Sequence, residues 1–153
     1  MVERAAADAS GPSAGTPVVT LGHDGAWAEL RAVDTAVIGA VPDGADPGAI
    51  STVPVAGASA LRALRRIGPL LGKRVLVTGA TGGVGHDRSL VTFYLLDGSD
   101  LVPDLTWLAA RVAVGDLDPG IAWRGGWERA DEAIAALLGR RLHGKAVLDV
   151  KFG

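Results

Sequence analysis

A glycine-rich stretch that directly follows a run of β-branched residues constrains this chain more than any other feature. Val75–Thr78 is typical of a short buried strand, and residues 79–85 read GATGGVG. Two glycines, with an alanine in the first slot of a G-x-G-x-x-G pattern, supply the tight turn and helix N-terminal N–H groups that a pyrophosphate needs. A glycine turn without a chemical role is the alternative. The pattern predicts a nucleotide loop made of Thr78, Gly79, Ala80, Thr81, Gly82, Gly83, Val84 and Gly85.

Length and composition limit the kinds of protein that this chain can be. Its 153 residues, of which 48% are hydrophobic, suffice for one core and at most one and a half domains. A net charge of -2 without a basic run predicts no nucleic-acid partner and no anionic membrane partner. The chain has no cysteine and only three scattered histidines, so no metal site is expected. Without a signal-peptide pattern or a membrane span, a cytoplasmic protein is expected.

The first half of the chain predicts a small β-barrel followed by helices. Residues 8–17 are turn formers and make a loop. Asp46 is the predicted N-cap of a short helix, with Pro47 in its first position. Ser59–Leu71 places leucine and isoleucine at helical spacing and predicts an amphipathic helix. We interpret four stretches as the strands of the barrel: 2–6, Val18–Leu21, Gly25–Val33 and Ala36–Val41.

The second half predicts alternating helices and strands. Asp104 is the expected cap of a helix that ends near Gly115. Strands are predicted at Ile121–Trp123 and Ala146–Val150, with an amphipathic helix at Trp127–Arg141 between them. The apolar faces of the two helices consist of Leu105, Leu108, Ala109 and Val112 in the first, and of Ala130, Ile134, Leu137 and Leu138 in the second.

Several motifs occur in an order that resembles one known family. The chain is similar to the medium-chain dehydrogenase/reductase superfamily, in its zinc-free quinone-oxidoreductase branch. The resemblance covers nearly the whole chain, as two blocks that meet near Gly85 and His86. The motifs are GAWAE at 25–29, VPDG at 41–44, VPVAG at 53–57, ALRAL at 60–64, RVLVTGATGGVG at 74–85, GWERADEAI at 126–134 and GKAVLDV at 144–150.

The resemblance implies a fold class, a domain division and an activity. The fold would be α/β, with a partial GroES-like β-barrel and a remnant of a Rossmann nucleotide-binding domain. Residues 1–57 and 121–153 would form the barrel domain, and 58–120 the linking helix and the Rossmann-like remnant. The activity would be reduction of a quinone or activated alkene, a small-molecule substrate, by hydride from NADPH. Catalytic side chains stay unknown, because in such enzymes the protein mainly orients the cofactor.

The chain departs from the family pattern in its length. After Gly85 too few residues remain for the missing βαβ units, each of which takes about 30 residues, and the N-terminus begins in mid-barrel. Two alternatives to the reductase therefore stay open. One is a non-catalytic remnant whose uncovered apolar surface self-associates or pairs with a full-length relative. The other is a scaffold that binds a different small ligand.

Five further positions or groups are weighed as site residues. Asp97 or Asp104 would hold the cofactor ribose, but a turn residue and a helix cap are the simpler interpretations. His86 and Arg88 lie just behind the loop, within reach of a phosphate. His23–Asp24 is interpreted as an acid/base pair or, more simply, as part of a turn. Three tryptophans are interpreted as core or interface anchors: Trp107, Trp123 and Trp127.

Overall fold

The fold is known from a computed structural model, which describes residues 1–22, 24–25, 27–71 and 100–150. These ranges mix helices with short strands, which confirms the α/β class. A short 3₁₀ turn at Thr35–Val37 precedes a strand, and another at Trp127–Arg129 precedes a helix. Across the described ranges, no helix has the length and apolar character to cross a bilayer. In chain order the elements are β1 (Val18–Thr20), β2 (Ile38–Ala40), α1 (Pro47–Ser51), α2 (Pro54–Ile67), α3 (Val102–Ala113), β3 (Ile121–Gly126), α4 (Ala130–Leu138) and β4 (Lys145–Asp149).

The strands form two separate pairs. β1 and β2 are antiparallel, with Val18 opposite Ala40, whereas β3 and β4 are parallel, with Gly126 opposite Asp149. The parallel pair is joined through α4, because parallel neighbours need a long crossover. In the described part of the chain these pairs do not close into a barrel.

Two predicted barrel strands are wrong. Residues 27–33 are irregular, and Trp27 has a φ of 67°, a left-handed conformation that an extended strand cannot contain. The stretch 2–6 is also not a strand. Val2 instead exchanges backbone hydrogen bonds with Gly15 and Thr16, and these bonds hold the N-terminus against the 8–17 loop.

The predicted start of α1 is confirmed, whereas the predicted bounds of α2 and α4 are wrong by several residues, since α4 spans Ala130–Leu138 and not Trp127–Arg141. The Asp46 carboxylate accepts a hydrogen bond from the Gly48 N–H at 3.0 Å, and Pro47 occupies the first position of α1. α2 begins at Pro54, earlier than predicted, and ends where Gly68 takes a φ of 90°. Leu71 therefore lies beyond the helix and is fully exposed, so its assignment to the apolar face is wrong.

The core is built around α3. Leu105 and Leu108 are buried as predicted, and Leu101 adds a third large apolar side chain. β2 approaches α3 so closely that a Cβ on Gly39 would lie 2.5 Å from the Cβ of Leu105. The buried cluster draws on both predicted domains, while the domain division itself stays a prediction. It consists of Val19, Leu21, Ile50, Val53, Ala58, Leu101, Leu105, Leu108 and Ala109.

The apolar face predicted for α4 is exposed. Ile134, Leu137 and Leu138 are 56%, 61% and 78% exposed, and Ala133 is the only residue of this helix that is buried. α4 lies against the 3₁₀ turn before it and against β3. Among the described residues the β3–β4 sheet has two strands, and it leaves these side chains uncovered. The predicted burial of this face is therefore wrong within the described structure.

Candidate functional site

The predicted nucleotide loop, Thr78–Gly85, lies outside the described residues. The same holds for three other proposed cofactor contacts, His86, Arg88 and Asp97, and for His23 of the proposed acid/base pair. These assignments stay predictions. The described helices that flank this segment are α2 and α3, and an ion-pair cluster around the buried Asp104 joins them.

Asp104 forms the centre of this cluster. Its side chain is 6% exposed, and one carboxylate oxygen accepts a hydrogen bond from Arg62 Nε at 2.5 Å. The other oxygen accepts from the guanidinium of Arg65. Arg62 also donates to the backbone carbonyl of Asp100 at 2.6 Å. The predicted cap is therefore wrong: the N-cap of α3 is Leu101, and Asp104 lies in the first turn, where it links α3 to α2.

The electrostatics of Asp104 are those of a structural ion pair. Burial alone would raise its pKa, but hydrogen bonds and charge from Arg62 and Arg65 outweigh burial and hold the pKa below its ordinary value. Both carboxylate oxygens already have charged partners, so Asp104 does not fit a cofactor ribose. The amphipathic pattern of Ser59–Leu71 leaves Arg62 and Arg65 on the faces that are not apolar, and it assigns them no partner. Their i, i+3 spacing, which puts them on one side of a helix, was the available signal.

A second ion-pair network surrounds Arg124. Its guanidinium donates to Asp46 at 2.5 and 3.0 Å and to Asp149 at 2.8 and 2.9 Å, so each carboxylate is held by two hydrogen bonds. These bonds lower the pKa of both carboxyl groups, chiefly through the hydrogen bonds from Arg124. The network ties the start of α1 to β3 and β4. Sequence reasoning identified Asp46 only as a cap, because no local pattern reports a partner 78 positions away.

An apolar groove lies between α4 and β4, and we call it the tryptophan groove. Its volume is about 690 Å³, within the range of roughly 300–1,000 Å³ typical of ligand sites. The hydroxyls of Ser51 and Thr52 line it but donate to carbonyls of their own helix turn, at 2.8 Å each. The groove therefore offers a mainly apolar surface. Its other lining residues are Trp27, Trp127, Ala130, Ala133, Ile134, Leu137, Leu142, Gly144, Lys145, Ala146 and Leu148.

Trp27 stands at the edge of this groove in a strained conformation. A left-handed backbone is costly for a bulky residue and persists where the surrounding structure requires it. Its ring lies 5.4 Å from that of Trp127, centroid to centroid, tilted by 49°. Trp27 is nevertheless 82% exposed and Trp127 49% exposed. Of the two alternatives for Trp127, a core position is wrong and an interface position stays open.

A second cleft, of about 860 Å³, lies beside the N-terminal segment and is lined by a mixture of charged and apolar residues. Arg31 lines this cleft and donates to the carbonyl of Asp24 at 2.9 Å and to the hydroxyl of Thr20. This bond uses the backbone carbonyl of Asp24, and the acid/base role of its side chain with His23 stays a prediction. Elsewhere among the described residues, no three His, Cys, Asp or Glu side chains gather as metal ligands would.

Searches for relatives add nothing to this description. No protein-family model, no curated protein and no solved structure matched the chain. The family resemblance therefore rests on the sequence motifs alone.

Proposed function

We propose that this chain is an NADPH-dependent reductase of a quinone or activated alkene. The observation that carries the proposal is the order of the motifs. The linking segment, the β-branched run, the glycine loop and the closing GKAVLDV block follow one another in the same order as in the family. The closing block supports it further. Residues 121–149 form a parallel β3–α4–β4 unit, which is an arrangement expected of an α/β enzyme.

The cofactor would supply the chemistry by transferring a hydride to the substrate. Thr78–Gly85 would hold its pyrophosphate through backbone N–H groups. Among the described residues, Asp104 was the candidate for the ribose, and it does not fit because two arginines occupy its oxygens. We therefore assign no step of the reaction to a described side chain.

Thermal unfolding with and without cofactor tests this proposal. A ligand that binds only the folded chain at about 100 times its Kd adds roughly 2.7 kcal/mol, which for a chain of this length raises the midpoint by about 5–10 °C. We expect this increase with NADPH, followed by oxidation of NADPH when a quinone is added. The variant Gly82→Val should abolish the increase, because a side chain blocks the close approach of the backbone to phosphate.

The matched control is Gly72→Val, a glycine before the predicted strand and outside the loop pattern. It should keep the response to NADPH. A cooperative transition in the parent chain that neither NADPH nor NADH shifts would contradict the reductase proposal.

A second candidate function is that of a non-catalytic interaction module. The exposed tryptophan groove favours it, because the groove is apolar and its two lining hydroxyls are engaged within the chain. Stability that depends on protein concentration but not on cofactor would distinguish this function from the first.

A further inference from the structure

The apolar side of α4 continues the tryptophan groove into one exposed patch. Ile134, Leu137 and Leu138 lie at i, i+3 and i+4 spacing in α4, so these side chains share one side of the helix. Trp127 lies in the 3₁₀ turn before α4 and lines the same groove as Ile134 and Leu137. Trp27 extends the patch through its contact with Trp127. We call these five residues the α4 face.

The α4 face is large enough to form the centre of an interface. Aromatic side chains bring about 150–250 Å² each, and at the exposures found here the five side chains offer roughly 400–500 Å² of apolar surface. A contiguous apolar patch of about this size is as large as the largest patch on a typical soluble monomer, and such patches are often functional. A standard interface takes about 800 Å² from each partner, so this face would provide more than half.

Covering its apolar face would stabilise α4. α4 has nine residues and buries Ala133 alone. Isolated helices of fewer than about 12 residues are marginal in water, and most helical stability comes from packing of an apolar face. In the described part of the chain α4 has little packing of this kind, and a strained tryptophan extends its apolar surface.

The charges at the two ends of α4 identify the partner. The N-terminal end carries Glu128, Asp131 and Glu132 against one Arg129, so it is negative. The residues after its C-terminal end include Arg140 and Arg141, so that end is positive. A second copy of α4 laid antiparallel would put each acidic end beside a basic end, and it would also align the helix dipoles favourably.

We propose that this chain forms a two-fold symmetric dimer in which the α4 faces of two copies pack against each other with the helices antiparallel. A two-fold interface needs a patch that complements itself, and the α4 face is self-complementary both in its apolar surface and in the charges at its ends. The apolar face of one copy packs against the same face of the other, and the acidic end of each helix lies beside the basic end of its partner across the axis. The dimer does not depend on the proposed reductase activity.

Light scattering behind a size-exclusion column, over a series of protein concentrations without cofactor, tests the dimer. We expect a mass twice that of the chain. Ile134→Asp should weaken dimerisation at least 100-fold, because it places a carboxylate at the centre of the face. Val55→Asp is the matched control, since Val55 is a helical apolar residue that is 61% exposed on α2. It should remain dimeric.

Charge reversal tests the antiparallel arrangement. A chain with Arg140→Glu and Arg141→Glu, and a second chain with Glu128→Arg and Asp131→Arg, should each dimerise at least tenfold more weakly than the parent. Mixed together, they should form a heterodimer of near-parental affinity, because each acidic end now meets a basic one.

Three results would overturn the proposal. The first is a parent chain that stays monomeric at every concentration. The second is a mixture of the two charge variants that fails to associate. The third is loss of the cooperative transition in Ile134→Asp but not in Val55→Asp, which would mean that the face packs within the chain. All masses are measured without NADPH, so a monomeric result would not bear on the proposed reductase activity. Likewise, a chain that does not respond to NADPH would not bear on the dimer.

Discussion

Helix α3 buries Leu105, Leu108 and Ala109, whereas α4, with an apolar stripe of similar pattern, buries only Ala133. The difference lies in what surrounds each helix. α3 contacts β1, β2, α1 and α2, while α4 lies mainly against β3 and the turn that precedes it. An apolar stripe therefore indicates which side of a helix is suited to burial. Whether that side is buried depends on how many other helices and strands pack against it.

The two helices also end in the same hydrogen-bond pattern with different residues. At the end of α3 the N–H groups of Gly115 and Asp116 donate to the carbonyls of Val112 and Arg111, respectively. Gly115 takes the left-handed conformation with a φ of 79°. In α4 the corresponding position is Arg140, with a φ of 53°. Glycine adopts this conformation without steric cost and arginine does not, so the end of α4 is less stable than that of α3.

The largest expected difference is between core truncations in the two helices. Leu105→Ala should lower the free energy of unfolding by about 3–5 kcal/mol, because Leu105 is fully buried and the cavity cannot collapse against β2. Ile134→Ala should cost much less in dilute solution and more as protein concentration rises. Urea unfolding at two concentrations measures both. If the two variants lost the same free energy of unfolding at every protein concentration, the contrast between the helices would be contradicted.

Among the residues that the structure describes, no ion pair joins α4 to another helix or strand as Asp104 joins α3 to α2, and Glu132 of α4 pairs with Arg129 in the turn before it. Asp104→Asn should cost about 2–3 kcal/mol, less than the 3–5 kcal/mol of a fully buried pair because the Arg65 side chain is 56% exposed. The control is Asp116→Asn, which removes the exposed pair with Arg111 and should change the stability by less than about 1 kcal/mol.

The effect of Asp104→Asn should depend on pH in a defined direction. The pKa of Asp104 is lowered in the folded state, so its ion pairs contribute fully above the ordinary value of 3.8 and are lost as the pH falls through the depressed value. The stability difference between the parent and Asp104→Asn should therefore be constant above about pH 5 and shrink below pH 4. A difference that grows on acidification would exclude this explanation.

The smallest expected effect concerns the helix ends. Arg140→Gly should raise the stability of the monomer by a few tenths to about 1 kcal/mol, since it removes the strain of a left-handed arginine. Arg141→Gly, at the next position, removes the same charge but relieves no positive φ, so it should bring no gain. Thermal unfolding at low protein concentration compares the two variants with the parent.

Sequence reasoning succeeded where the determinants are local. The strand at Val18–Thr20, the cap at Asp46 and the closing strand at Lys145–Asp149 follow from short patterns, and the structure contains all three. It failed for Gly25–Val33, where the left-handed Trp27 excludes a strand. For the candidate site, it missed the Asp104 and Arg124 networks, because a carboxylate's partner is chosen by packing and not by spacing along the chain.

The sequence by itself determined the α/β alternation, the start of α1 and which stripes are apolar, because backbone sterics, capping and periodicity act within a few residues. Only the tertiary structure decided that Asp104 binds two arginines on α2, that Arg124 joins α1 to the parallel strands, and that the stripe of α4 faces outward. These outcomes depend on which distant elements are close enough to exclude water, and no local pattern specifies that distance.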